Sequence, residues 1–578
     1  MKKRKITGFA SFALAACLLL SSCNGGSTAS KAANSAPASS ASSGSAAVSK
    51  EGELIAATDP SKLPAVAAQR KDTLVIGINK LDNSFNWMYN ENADVQYVLY
   101  AMNCTLSGND EQGNIIDGTA SVSVSSDGLT YTYKLKKDTF SDGTPVTAND
   151  YINCFKVLYD KSYDGPQDPS TVPVLGKEDY TNGKTKDIAG IKALDDKTLQ
   201  IKLTKRNSSA LYQLGSTIPI STKKYGDLIK QGDLSGFKKM DMINYVSDGP
   251  YILTSYKVGQ SATLTANPNY FLGAPKIKTL IFKEVAEGSE LQALTTGEVD
   301  VEPEVTCNAD QIQMGKAAKF VNMWIQPTLG YGYVALNCQN PLFNDLKVRQ
   351  ALLYALDRKS LVKSVYGDYG SVLNCNQTKI SWLYSDKGLN TYDCDPDKAA
   401  SLLKEAGWTK DSSGKLMKDG KEFKFTFSCM KGNPVTDVLV PMMIDSYKKL
   451  GITMQSEYID GPTMFKKHQK MNYDMEFMAW VLNADPNDSF IYKKGGAQNY
   501  SGFSDPEIDK AYDAGLAATT KEEMKTAYEK VYQLINKDLP CYFVYQRSDC
   551  IAYNTRVKHF KSSSYTGFWN NLQELELA

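Results

Sequence analysis

"SSDGLTYTYKLKKDTFSDGTPVTANDYINCF", Ser125 to Phe155, holds strand, turn and helix signals in one stretch. Tyr131, Tyr133 and Leu135 fall on one face of an extended chain, with Thr132, Lys134 and Lys136 on the other. That alternation predicts a half-buried strand. Asp142-Gly143 supplies a turn, and Thr147 or Asn149 a cap for the helix that follows. "LQIKLT", Leu199 to Thr204, alternates in the same way, so these strands belong to a mixed or antiparallel sheet. "TLVIGI", Thr73 to Ile78, is apolar almost throughout, reads as a buried strand and opens the folded body near Asp72. Helical patterns are interspersed. In "VRQALLYALDRKSLVKSVYG", Val348, Ala351, Leu352, Ala355 and Leu356 form one stripe, which predicts a helix stopped by Gly367. "DPDKAASLLKEAGW" predicts a second, with Asp395 as N-cap, Pro396 in the first turn and Gly407 at the end. The class is α/β.

The N-terminal flank has a different character. Lys2, Lys3, Arg4 and Lys5 precede an apolar run from Phe9 to Leu20, the layout of a signal peptide over residues 1–22. The run is shorter than the ~20 residues a membrane span needs. Leu20-Ser21-Ser22-Cys23 looks like a bacterial lipobox, which makes Cys23 the lipidated N-terminus of the mature chain. Residues 23–70 read as a Ser/Ala/Gly-rich linker with a reach of roughly 35–40 Å as a flexible coil. The expected location is the outer face of the bacterial cytoplasmic membrane, reached through a lipid anchor, with no further membrane segment.

The chain has 578 residues with 65 Lys+Arg against 64 Asp+Glu. Removing the four N-terminal cations leaves 61 against 64, so the mature protein carries about −3. This balance argues against a nucleic-acid partner. Of 11 cysteines, Cys17 leaves with the signal and Cys23 takes lipid; nine remain, so at least one is unpaired or pairs between chains. Cys541 with Cys550, or Cys375 with Cys394, are candidate bridges. The 2 histidines, His468 in "FKKHQK" and His559 in "RVKHF", read as solvated basic surface, not as catalytic bases. There is no G-x-S-x-G, no H-E-x-x-H and no complete P-loop; "NGKTK" at Asn182 lacks the upstream glycine. "DCDPDKAASLLKE" has Lys398 where a calcium loop needs glycine. Neither an enzyme, a metal site nor a cofactor is expected.

The Ser125–Phe155 stretch resembles the signature of family 5 extracellular solute-binding proteins, the oligopeptide- and dipeptide-binding components of ABC importers. Asp248–Phe271, Leu291–Val301, Asn340–Arg358, Asp395–Trp408 and Tyr500–Gly515 resemble further family segments, in consistent order from about Asp72 to the C-terminus. The resemblance implies a two-lobed, periplasmic-binding-protein-like clamshell of type II, with an extra subdomain on the first lobe. Lobe I would comprise 71–105, 205–327 and 540–578, the subdomain 106–204 and lobe II 328–539. The hinge crossings are expected near Gln326–Leu329 and Leu539–Tyr542. It also implies a peptide ligand, an ABC permease as partner and action as a monomer. In the family an acid three residues after a tryptophan pairs with the ligand's ammonium, with D-P a few residues on. In "AWVLNADPNDSF", Trp480 and Asp485-Pro486 match that outline, but Asn483 stands at the third position. Asp485 is then the nearest acid and the expected anchor, Asn483 a neutral neighbour, and Glu91 in "NWMYNENADV" the next candidate. Trp480 as core packing and Asp485 as a turn residue before Pro486 are the alternatives. An oligosaccharide or other solute is the alternative ligand, a nickel chelate the weakest, and a secreted hydrolase the alternative from another class.

Overall fold

A computed structural model describes residues 52–168, 170, 172–430 and 432–578. The expected signal peptide, Cys23 and most of the expected linker lie outside these residues. The ordered body begins earlier than Asp72, a correction to the linker boundary. Glu53–Ile55 forms a short strand against Val321–Pro327, and Arg70 reaches Asp300 at 2.8 Å. Ile55 and Leu63 interrupt the small-residue composition there and pack, partly buried, against the core around Val321 and Met323.

The main sheet has 13 strands and divides into a first and a second mixed sheet that share one strand, Cys541–Asn554. In the first sheet Thr73–Ile78 lies parallel to both Thr279–Glu284 and Val301–Val305. Ser261–Ala266 and Tyr251–Lys257 continue it antiparallel on one side, and Val321–Pro327 pairs with the shared strand on the other. Five of the six residues of Thr73–Ile78 are buried, as its apolar run predicts. In the second sheet Lys424–Met430 is parallel to Thr453–Ile459 and Met475–Val481, and Gly330–Leu336 joins antiparallel between Met475–Val481 and the shared strand. Gly330 is required here: a Cβ would stand 2.5 Å from the Trp480 carbonyl oxygen.

The chain leaves the first sheet after Pro327 and enters the second at Gly330, inside the expected first crossing. The return lies later than Leu539–Tyr542. Cys541 to Tyr545 still pair with Gly330–Leu336, and only from Ser548 onward does the strand pair with Val321–Pro327. A single 14-residue strand runs through the junction, so no turn marks it in the sequence.

A separate antiparallel sheet runs Ala120–Val124, Thr130–Leu135, Thr198–Lys202, Ile191–Asp195. The two alternating stretches are direct neighbours in it: Tyr133 faces Leu199 and Tyr131 faces Ile201, all four buried in a core of their own. The helix Ala148–Leu158 covers this sheet. Its start is fixed at Thr147, whose backbone N–H and hydroxyl both donate to the Asp150 carboxylate at 2.8 Å. Gly143 takes φ 80° in the preceding turn.

Three other expectations change. The Val348 stripe is buried as predicted, but the single helix expected to run to Gly367 is two, Leu346–Tyr354 and Arg358–Tyr366. Asp357 caps the second by accepting the Ser360 N–H at 3.0 Å. All nine described cysteines are free thiols. Cys541 and Cys550 stand on one extended strand, nine residues and therefore roughly 30 Å apart, too far for a bridge. Cys375 is buried and Cys394 exposed. His468 is not surface: it is buried, and its Nδ1 meets the Glu476 carboxylate. His559 is exposed as expected.

Candidate functional site

The strand Met475–Val481 ends at the site. Trp480 is buried and lies parallel to the Tyr333 ring at a centroid separation of 6.3 Å. The Leu482 N–H donates to the Leu329 carbonyl at 2.6 Å, carrying the pairing as far as the first crossing. Beyond it the chain turns through its own side chains. Asn483 Oδ1 accepts the Asp485 N–H at 2.8 Å, and Asp485 Oδ1 accepts the Asn487 N–H at 3.1 Å. These are Asx turns, which hold a loop rigidly without regular structure.

Asp485 therefore serves the turn with one oxygen and has another use for the second. Its Oδ2 accepts a hydrogen bond of 2.8 Å from Gln213 Nε2, on the helix Ala210–Gly215. That helix lies in the chain between the four-stranded sheet and the first sheet, so the bond spans the two halves of the molecule. A cavity of about 190 Å³ opens at this point. This is far more than the ~10–15 Å³ that one water needs. Trp480, Asn483, Asp485 and Asp488 line it from the second half, and Phe155, Leu158, Asp168 and Gln213 from the other side. Among the described residues, no Lys, Arg or His lines it.

The electrostatics follow. Burial pushes the Asp485 carboxyl up to about 6 against the opposing pull of the Gln213 and Asn487 donors. Asp488 is pushed up to about 7, again by burial, although Tyr512 Oη and Asn376 Nδ2 each donate to it at 2.6 Å. Both carboxyls thus have only neutral hydrogen-bond donors. A cation brought into this cavity would meet acids whose charge the protein has not neutralised.

Three of the four expected residues come together here: Trp480, Asn483 and Asp485. Trp480 is core packing and Asp485 a turn residue, the alternatives named for each, and both also line the cavity. Glu91 is exposed and does not line the cavity. Gln213 and Asp488 escape the reading of the sequence. Asp488 had a faint signal, a second acid three residues past Asp485; Gln213, 272 residues from its partner, had none. Among the described residues no group of three or more His, Cys, Asp or Glu is placed to hold a metal ion. No described helix is long and apolar enough to cross a membrane.

The model of the bacterial extracellular solute-binding proteins, family 5 Middle, matches residues 117–502. The chain belongs to this family. A relative, the oligopeptide-binding protein AppA of Bacillus subtilis (strain 168), is 28% identical over 519 residues, covering 87% of this chain and 91% of its own. The heme-binding protein A of Haemophilus influenzae is 26% identical over 464 residues, covering 76% and 80%. The structure of Bacillus subtilis AppA in complex with a nonapeptide superposes with a TM-score of 0.75 at 25% identity, covering 88% of this chain and 99% of that one. Lactococcal OppA, complexed with an endogenous peptide in the closed conformation, shares the fold with a TM-score of 0.77 at 20% identity, covering 87% and 100%. The fold is the two-lobed α/β fold of periplasmic binding proteins.

Proposed function

We propose that this family 5 protein captures peptides between its two lobes and delivers them to the permease of an ABC importer. The observation that carries the peptide reading is Asp485: a buried carboxylate on the wall of an interlobe cavity with no basic residue among the described residues that line it. A peptide's terminal ammonium loses its hydration on entering such a cavity and needs an anion to replace it. Asp485 Oδ1 accepts the Asn487 N–H and Oδ2 the Gln213 Nε2 donor, and a carboxylate has about four acceptor sites, so room remains for an ammonium. Trp480 supplies an apolar wall beside it. The peptide-binding relatives support the same class of ligand, and the heme-binding relative explains why family membership alone does not choose it.

In this reading the first sheet and the four-stranded sheet belong to lobe I and the second sheet to lobe II, with crossings at Thr328–Leu329 and Gln546–Arg547. Ligand contacts both lobes and shifts the population toward the closed form. Lipid on Cys23 keeps the carrier at the outer face of the membrane, where the permease is. The protein acts as a binding protein without catalysis.

Mass spectrometry of small molecules released on denaturing the purified protein tests the ligand class. Peptides with free N-termini are expected. An oligosaccharide or a porphyrin released instead, in stoichiometric amount, would replace the peptide reading. For the anchor, Cys23→Ala protein should take up no fatty-acid label; label retained on it would remove Cys23 from the account.

A further inference from the structure

The two halves of the molecule touch directly at the segment Ser208–Gln213. At one end, the Ser208 N–H donates to the Leu516 carbonyl at 2.8 Å and the Ser208 hydroxyl to the Gly515 carbonyl at 2.9 Å. Both acceptors lie in the last turn of the helix Pro506–Ala517; the Gly515 carbonyl already accepts the Ala518 N–H at 3.3 Å, whereas the Leu516 carbonyl lies past the donor that a longer helix would provide. Ser208 supplies it from the other half, as a C-terminal cap made across the cleft. At the other end, Gln213 Nε2 donates to Asp485. The helix Pro506–Ala517 belongs firmly to the second half: Ile508, Ala511 and Tyr512 pack in the same core as Trp480. The segment thus holds the second half at two separate places, one on the cavity wall and one outside it.

Each of these bonds joins protein to protein. Their contribution to closure is therefore present whatever occupies the cavity. Gln213 adds a second effect, because the carboxylate oxygen it holds belongs to the group expected to meet the ligand's charge.

We propose that Ser208–Gln213 is a closure clasp: a built-in interlobe contact that favours the closed form independently of the ligand's sequence and holds the Asp485 carboxylate in place as the lobes meet. Gln213 is a positioning residue in this sense, and Ser208 a purely conformational one. A carrier with such a clasp draws part of its closing free energy from itself, which allows ligands of differing side chains to be retained with less dependence on their individual contacts. The clasp rests on the two-lobed fold and not on the peptide reading, so it survives if the ligand proves to be another solute.

The test is amide hydrogen exchange at Ser208, with ligand stripped by unfolding and refolding the full chain. Its N–H is bonded only across the cleft, so its protection reports closure itself. In the native protein this amide is expected to exchange more slowly than an unprotected amide. Gln213→Ala should speed it roughly two- to tenfold, the range that the net contribution of one hydrogen bond spans. Gln213→Glu, which sets a like charge against Asp485, should speed it more. Small-angle scattering of the same samples should show the radius of gyration rising in the same order. Protection in core strands such as Thr73–Ile78 should not change, which separates opening from unfolding. A Ser208 amide that exchanges at the unprotected rate in the native protein, or at the native rate in both variants, would overturn the clasp.

Discussion

Asp300 and Asp485 are both buried carboxylates, and the protein treats them oppositely. Asp300 is enclosed by donors of its own chain. Its Oδ1 accepts from Arg70 Nη2 at 2.8 Å, Arg556 Nη1 at 2.9 Å and Asn554 Nδ2 at 2.8 Å, and its Oδ2 from the Val75 N–H at 3.0 Å. Two guanidinium groups match its charge, and the arrangement ties the segment before the first strand to the end of the shared strand. Asp485 has only neutral donors, at a cavity between the halves. The first acid is complete and holds the fold. The second is incomplete in charge, and in the proposed function the ligand's ammonium is what completes it. Burial alone does not mark a functional acid; the absence of a matching cation at a cavity wall does.

The largest effect should come from breaking the complete site. Asp300→Asn keeps the shape but strands Arg556, only 2% exposed, without its counter-ion. Removing one partner of a buried pair costs roughly 3–5 kcal/mol. Denaturant unfolding followed by fluorescence should show a loss of that order; a loss below about 1 kcal/mol would mean that Asp300 is less committed to the fold than its partners imply.

A smaller effect should appear with pH at the incomplete site. Asp485 is pushed up to about 6, so it is ionised at neutral pH and gains a proton as pH falls through that value. Affinity for a free-amine peptide should be full near pH 7 and fall below about pH 6, approaching tenfold, or ~1.4 kcal/mol, per pH unit. It should fall again above about pH 8, where the peptide ammonium itself deprotonates. Asp488→Asn should keep the acid limb and Asp485→Asn should lose it. Titration calorimetry across pH separates the two acids; an acid limb that follows Asp488, whose carboxyl is pushed up to about 7, would assign the ligand charge to the wrong residue here.

The smallest effect belongs to a surface acid with only local work. Asp395 accepts the Lys398 N–H at 2.9 Å and caps the helix Pro396–Glu405. Asp395→Ala should cost ~1 kcal/mol of stability and leave binding unchanged. A loss equal to that of Asp300→Asn would erase the distinction between a cap and a charge-matched core acid.

The sequence was most legible where structure is local. The alternation at Tyr131–Leu135, the capping at Thr147 and Asp395 and the turn at Gly143 depend on neighbours a few residues apart, and each is visible in the chain. The errors share a different cause. The stripe from Val348 to Leu356 is followed within a few residues by the buried Leu361, Val362 and Tyr366 of a second helix, so the apolar pattern conceals the break at Asp357. His468 has Lys466, Lys467 and Lys470 beside it in sequence but Glu476 beside it in space. The second crossing sits inside a continuous strand with no turn to announce it. The site divides on the same line. Trp480, Asn483 and Asp485 share one loop and could be singled out together, whereas Gln213 and the Asn376 and Tyr512 donors around Asp488 arrive from distant elements and carry no motif.

The account turns on one charge pair, and a thermodynamic cycle measures it. The native protein and Asp485→Asn are each titrated by calorimetry with one peptide in two forms, free at its N-terminus and N-acetylated. For the free-amine form, Asp485→Asn should cost roughly 2–5 kcal/mol of binding, the range for truncating one side of a buried charged pair. For the acetylated form, which has no ammonium, the cost should largely vanish. Equal affinity of the two proteins for the free-amine peptide would contradict the account and remove Asp485 from the ligand site.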